Sequence, residues 1–223
     1  MEPSAAQKTI GEIEQTLRRF VVILANGAFP QKENALSYLR KADRLVCCDG
    51  ATNKAIAHGL TPDFIVGDLD SLSPELKERF SDRIVHIAEQ ESNDLSKSFA
   101  FCLSKGWKNI VILGASGERE DHLIGNVSLL ADFALNADSV QMVTDCGRFC
   151  VATKPGVFCS HKGQQISIFS LDPRQKITSR GLKYPLKNLR LPRWHMATLN
   201  EALEDNFSLD FTQEAPLILY FAD

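Results

Sequence analysis

The sequence predicts an α/β parallel-sheet domain followed by a small all-β domain. Two observations carry this. Up to about Thr144, short continuous apolar runs alternate with helical patterns, and most of the runs end in a small or acidic residue. Strands buried on both faces read this way, because helices cover both sides of a parallel sheet. Beyond Thr144 the strands shorten, apolar and polar residues alternate, and Pro and Gly punctuate the chain, as in small β domains.

Taken in order, the apolar runs are Phe20–Leu24, Arg44–Cys48, Phe64–Val66, Arg83–Ile87, Asn109–Leu113 and Val140–Val143. Between the fourth and fifth, Asp94–Lys105 places Leu95, Phe99, Cys102 and Leu103 on one helical stripe, with Gly106 as a stop signal. After the fifth, His122–Leu135 repeats the stripe with Leu123, Val127, Leu130 and Ala134. In the second part, Gln165–Ser170 and Phe207–Phe211 alternate, and Leu217–Phe221 is a short apolar run. Such a β region has a thin core, so it is expected to pack on another surface, such as a second subunit. The chain divides into an N-terminal arm, 1–19, an α/β domain, 20–143, and a β domain, 144–223.

Composition narrows the function. In 223 residues, 44% hydrophobic and 24% charged are ordinary values for a folded globular chain. A formal charge of −3 carries no nucleic-acid footprint. No apolar run approaches the roughly 20 residues of a membrane span. The opening MEPSAAQKTIGEIEQ has no secretory signal pattern. Of six cysteines, Cys47 and Cys48 lie in a core run, while Cys146, Cys150 and Cys159 with His161 offer zinc donors at a spacing that matches no standard ribbon. Reduced thiols in a cytoplasmic protein are the expectation.

The chemistry gathers at strand ends. Asp49 closes the second run, Asp68 and Asp70 close the third, and Asp94 opens the helix after the fourth. Ligands of open α/β sheets bind at the carboxyl ends of strands, so these carboxylates are expected to share one crevice. Period-two alternation puts Asp68 and Asp70 on one side of their strand. Clustered carboxylates need a cation, and magnesium takes carboxylate and phosphate oxygens. A lone Asp after a strand is ordinarily a cap or turn former, and Asp94 admits that reading. The set as a whole does not. The stretch Gly114-Ala115-Ser116-Gly117-Glu118-Arg119-Glu120-Asp121-His122 leads from the fifth strand into a helix, where small residues and free N–H groups suit phosphate oxygens. It is neither of the standard phosphate-loop motifs. Asn126 shares a helix face with His122, and Lys97 shares one with Asp94, open to reading as a phosphate contact or a solvated lysine.

Five linked motifs, running in order from Val21 to Glu201, then resemble the thiamin pyrophosphokinase family. They are Asp49-Gly50-Ala51-x-Asn53, Pro62-Asp63-x-x-x-Gly67-Asp68-x-Asp70-Ser71, Asn93-Asp94-x-x-Lys97, Gly114-x-x-Gly117-x-Arg119-x-Asp121-His122-x-x-x-Asn126, and Gly181-Leu182-Lys183-Tyr184-Pro185-Leu186. The resemblance implies a homodimer of an α/β catalytic domain and a β-sandwich domain. It implies Mg2+-dependent transfer of the pyrophosphoryl group of ATP to the thiamin hydroxyl, giving thiamin diphosphate and AMP. On the family's pattern, Asp49, Asp68, Asp70 and Asp94 are catalytic, with Asp68, Asp70 and Asp94 on the metal. Asn26, Gly27, Asn53, Lys97, Gly114, Gly117, Arg119, Asp121, His122 and Asn126 fall on the nucleotide side. Gln90, Thr178 and Tyr184 match thiamin contacts, those of the β domain reaching across the dimer.

The chain departs from the family pattern in places. Glu118 stands where a glycine is frequent, Asn93 where Thr or Ser is common, and Tyr184 where animal members have Trp. The segment Ala197-Thr198-Leu199-Asn200-Glu201 departs from Gly-x-Ser-Asn-Glu. Two other classes compete. One is an Asp-x-Asp phosphatase, whose motif belongs on the first strand, here Val-Ile-Leu-Ala-Asn-Gly. The other is a non-catalytic nucleotide or thiamin sensor, against which the full acidic set argues.

Overall fold

The computed structural model describes residues 19–212 and 215–223; the expected arm at 1–19 lies outside them except for Arg19. Six parallel strands form the first half. They are β1 (Val21–Leu24), β2 (Arg44–Cys48), β3 (Phe64–Gly67), β4 (Ile84–His86), β5 (Asn109–Leu113) and β6 (Ser139–Thr144). The connecting helices are α1 (Glu33–Lys41), α2 (Ala51–Ala57), α3 (Pro74–Arg79), α4 (Asp94–Ser104) and α5 (Glu120–Asn136). The strand order is β6-β5-β1-β2-β3-β4, so the chain steps from β1 toward one edge and then returns to build the other side from β5.

Each strand is apolar on both faces, and the two faces bury different partners. Val21, Ile23, Val46, Val66, Ile110 and Ile112 pack with Leu95, Phe99 and Cys102 of α4 and with Val127, Leu130 and Phe133 of α5. The intervening Val22, Leu24, Leu45, Val111 and Leu113 pack with Ala35 of α1 and Ala51 and Ala55 of α2. Phe99 and Phe133 stack at 3.9 Å, locking α4 to α5. This is the alternation of a strand read on both sides.

The second half does not start a separate sheet. A tight turn returns β6 as β7 (Gly147–Ala152), and the ladder continues antiparallel through β14 (Leu217–Ala222), β9 (Gln165–Ser170) and β12 (Asn200–Glu201), giving ten strands in one sheet. A second, four-stranded antiparallel sheet pairs β8 (Gly156–Cys159), β13 (Asn206–Phe211), β10 (Lys176–Arg180) and β11 (Leu189–Arg190). It packs Ile177, Phe207, Leu209 and Phe211 against Ile166, Ile168, Leu217, Leu219 and Phe221, closing a β-sandwich. The thin core expected from sequence is thus braced within the chain by the ladder it shares with the parallel half. Among the described residues no helix is long and apolar enough to cross a membrane.

Candidate active site

The acidic residues emerge where β2, β3 and α4 meet. Asp49 follows β2 with φ 23°, and its N–H donates to Val66 O across to β3 at 3.0 Å. The side chain is buried, at 2% exposure. Its Oδ2 accepts from Ser71 N at 2.9 Å, while Oδ1 is buried with no partner. Gly67 ends β3 at φ 157°, and a Cβ there would meet Asp49 Cβ at 2.9 Å and Asp94 Oδ1 at 3.1 Å. Glycine therefore lets the acids close in. Asp49, Asp68 and Asp94 each place a carboxylate oxygen within 4.8 Å of the others, the one such grouping of metal donors among the described residues.

Asp70 stands outside this trio. β3 ends at Gly67, and Leu69 turns left-handed at φ 69°, so period-two alternation does not run from Asp68 to Asp70. Asp70 is exposed and gives its backbone N–H to Asp68 Oδ1 at 3.3 Å. Asp94 is not the helix cap. Asn93 takes that role, its Oδ1 accepting from Ser96 N at 2.9 Å, which leaves the Asp94 carboxylate for the cluster. Lys97 is neither solvated nor remote. It is 4% exposed, with Nζ 3.6 Å from Asp94 and 4.0 Å from Asp68.

The titration of the trio follows. Burial pushes Asp49 above the usual carboxylate range, and the nearby charges of Asp68 and Asp70 add to it. Burial does the same to Asp94, with the Asp68 charge next. Asp68 is held below that range, first by the Gln90 amide, which donates to Oδ2 at 3.0 Å, then by Asp70 N. Gln90, expected on the thiamin side, thus anchors an acid of the cluster.

Beside the trio lies a cleft of about 270 Å³, lined by Asn26 and Gly27 after β1, Cys48, Asn93 and Asp94, Ser116, Glu118 and Arg119 after β5, and His122 and Asn126 of α5. It opens between β1 and β5, where the strand order reverses. The loops after these strands run together: Gly27 N donates to Gly114 O at 2.6 Å and Ala28 N to Ser116 O at 2.8 Å. A Cβ on Gly27 would sit 2.5 Å from Gly114 O. Gly114 and Gly117 are left-handed, at φ 64° and 86°. Asn126 Nδ2 donates to Ala115 O at 3.0 Å and fixes the loop to its helix. Arg119 reaches Asp121 through Nε at 3.1 Å and Nη2 at 2.5 Å, which holds the Asp121 carboxyl down at about 2.

Of the nucleotide-side expectations, Asn26, Gly27, Arg119, His122 and Asn126 line this cleft. Asn53 holds the segment after β3 through Ser71 O at 3.0 Å, Lys97 sits in the acid cluster, and Asp121 pairs with Arg119. Thr178, on β10, accepts from Asn188 N at 3.1 Å, and Tyr184 is 61% exposed after the same strand; neither lines the cleft. Ser116 and Glu118 lie in the loop that the sequence marks for phosphate without being among the expected nucleotide contacts, and Lys54 was not singled out. A serine in a turn and a lysine on a short helix carry no signal without the fold. Cys150 and Cys159 lie in different sheets, so the zinc donors do not gather.

Residues 35–143 match the family model described as thiamin pyrophosphokinase, catalytic domain, and residues 147–220 match thiamin pyrophosphokinase, substrate-binding domain. Thiamin pyrophosphokinase 1 of Caenorhabditis elegans is 29% identical over 205 residues, covering 82% of this chain and 84% of the relative. Thiamine pyrophosphokinase 1 of Oryza sativa is 25% identical over 229 residues, covering 89% and 85%. Among solved structures, a thiamin pyrophosphokinase family protein from Enterococcus faecalis superposes with TM-score 0.75 at 22% identity, covering 92% of this chain and 99% of that one. Thiamin pyrophosphokinase from Candida albicans gives 0.74 at 17%, covering 92% of each chain. These structural likenesses support the fold.

Proposed function

The chain belongs to the thiamin pyrophosphokinase family, with ATP and thiamin as substrates; from that premise we propose that ATP occupies the switch-point cleft and Mg2+ the aspartate trio beside it. The observation that carries this is the buried, unpartnered Asp49 Oδ1 among three converging carboxylates. A buried carboxylate oxygen is costly unless it meets a cation or a hydroxyl donor. An all-oxygen set of few carboxylates fits magnesium, which fills its remaining positions with phosphates and water. When bound there, the ion supplies charge neutralisation to the phosphates.

The residues of the chain do the rest. Asn26, Gly27 and the loop from Gly114 to Arg119 hold the nucleotide, with Arg119 as the cation for the phosphates. The thiamin hydroxyl attacks the β-phosphorus. The bond from that phosphorus to the oxygen bridging the α-phosphorus breaks, and AMP leaves with that oxygen. The hydroxyl proton passes to a carboxylate of the trio, Asp49 in our reading, whose buried Oδ1 has no other partner. Asp68 and Asp94 carry the ion, and exposed Asp70 adds negative charge at the rim. Lys97 neutralises part of the trio's charge from behind.

The thiamin side rests on the second sheet. Thr178 and Tyr184 do not line the cleft of their own chain, so in this reading they serve a partner's site in a homodimer. The exposed apolar Tyr184, Trp194, Met196 and Leu199 of that half supply an interface. Residues 20–143 then form the nucleotide half and 144–223 the thiamin half. The compartment we propose is the cytoplasm, where its six free cysteines stay reduced.

Incubation with thiamin, ATP and Mg2+, followed by separation of AMP from ADP, tests the reading. AMP and thiamin diphosphate are expected in equal amounts, with none in chelator. Binding of both ligands without AMP would make the protein a sensor. Phosphate released from monoesters without ATP would make it a phosphatase. Asp68→Asn is expected to lower turnover at least 100-fold with the fold intact, and near-normal turnover would sink the metal assignment.

A further inference from the structure

The two loops that wall the cleft are tied from outside by one side chain. Lys54, on α2, donates from Nζ to Asn26 O at 2.8 Å, to Gly27 O at 2.7 Å and to Glu118 Oε1 at 2.6 Å. These use all three donors of an ammonium. Asn26 and Gly27 belong to the loop after β1, Glu118 to the loop after β5, and all three line the cleft. The side chain is 30% exposed, and Glu118 52%.

We propose that Lys54 is a positioning residue for the nucleotide, with two effects in one contact. The first is geometric. Backbone bonds already join the loops at Gly27–Gly114 and Ala28–Ser116. Lys54 adds the tie to Glu118, the residue between Gly117 and Arg119, and so sets where the arginine's loop stands relative to Asn26 and Gly27. The second is electrostatic. Glu118 places a carboxylate on the wall of a cleft that receives a polyphosphate, and like charges there repel. The ammonium at 2.6 Å cancels that charge.

This rests on the placement of ATP in the cleft, and the experiment separates the two. The dissociation constant of ATP with Mg2+, together with KM and kcat, is measured for the full-length protein and for variants. Lys54→Met is expected to weaken ATP about tenfold, with kcat changed less than threefold. Glu118→Gln, which removes the carboxylate from the cleft wall and leaves the Lys54 charge unopposed behind it, is expected to tighten ATP about threefold. The double variant, freed of the repulsion but lacking the tie, is expected to fall between Lys54→Met and the parent. Lys54→Arg is expected to bind within threefold of the parent. Arg119→Ala serves as the control for the cleft itself and is expected to weaken ATP in any case.

If Arg119→Ala weakens ATP while Lys54→Met does not, the inference fails and the placement of ATP stands. If neither changes binding, the placement of ATP fails. A double variant as weak as Lys54→Met removes the electrostatic part. Should Lys54→Met fail to fold, Glu118→Gln and Lys54→Arg still decide: weaker ATP with Glu118→Gln, or a tenfold loss with Lys54→Arg, overturns it.

Discussion

Replacing Asp49 by asparagine should make the metal-free protein more stable and inactive at once. Asp49 is buried, one oxygen accepts from Ser71 N, and the other has no partner. Carboxylates of Asp68 and Asp94 stand within 4.8 Å. At that separation and an effective dielectric near 20, each like-charge pair repels by roughly 3 kcal/mol, partly offset by Lys97. Asparagine keeps an acceptor for Ser71 N, loses the charge, and puts an amide donor beside the two remaining carboxylates. A net gain of about 1–2 kcal/mol remains after the imperfect fit of the amide, or roughly 2–8 °C in Tm for a chain of this size. The assay is thermal and urea unfolding at pH 7 with chelator, beside turnover with Mg2+. The pH profile gives a second reading. In the metal-free fold, Asp49 and Asp94 bind protons more tightly than the ordinary value of 3.8, so the folded state holds more protons than the unfolded one above that value. Stability should therefore rise as pH falls through their folded values toward about 4. Below that, Asp68, Asp121 and Asp172, all depressed, lose their contributions as pH falls through their folded values, about 2 for the last two. Asp49→Asn should flatten the first rise and leave the acid limb alone. A destabilised variant, or one that turns over within tenfold of the parent, would refute the reasoning.

Three further outcomes are expected. Asn93→Ala should cost about 1 kcal/mol by loss of the α4 cap, but weaken Mg2+ about tenfold in a titration, because the first turn of α4 sets both Asp94 and Lys97. Asp145→Ala should lower stability by about 1–2 kcal/mol in urea unfolding: its carboxylate, in the turn between β6 and β7, accepts from Gln31 N and Lys32 N and ties the segment leading into α1 to the sheet. Gly27→Ala should destabilise by about 1–3 kcal/mol and abolish measurable ATP binding, since its Cβ would strike Gly114 O and Ser116 O, backbone atoms that cannot rotate away.

The parallel half was legible in the sequence because its strands are buried on both faces, and segments such as Val21–Leu24 and Asn109–Leu113 admit little else. Helix α4 was legible from its stripe, and the structure ends it at Ser104, one residue before the expected Lys105. Helices α1 and α2 left no comparable mark: α1 fully buries Ala35 alone, and α2 is seven residues long. In the β half, Leu217–Ala222 pairs with Gly147–Ala152 across some 70 residues, and no local pattern records that partner. The site divides the same way. Asp49, Asp68 and Asp94 were legible as strand-end acids. The exclusion of Asp70 turns on one backbone angle at Leu69, and the burial of Lys97 on how α4 packs under β2 and β3.

The arrangement has a topological cause. The chain leaves β1 toward β2 and leaves β5 toward β6, on opposite sides, so the loops after these two neighbouring strands diverge and open the cleft. Strands β2, β3 and β4 all lie on one side of β1, so the residues that follow them, Asp49, Asp68 and Asp94, come together on that same side. A nucleotide in the cleft then has its phosphates beside the carboxylates without any loop having to be long. Asp94 belongs to both, lining the cleft and completing the trio, and it is free to do so because Asn93 caps the helix. The order Asn93-Asp94 is therefore a division of labour: swapping the two residues should keep a capped helix, since Asp and Asn cap about equally well, yet lose the metal. Retained Mg2+ binding in the swapped variant would show that the cap and the ligand are interchangeable.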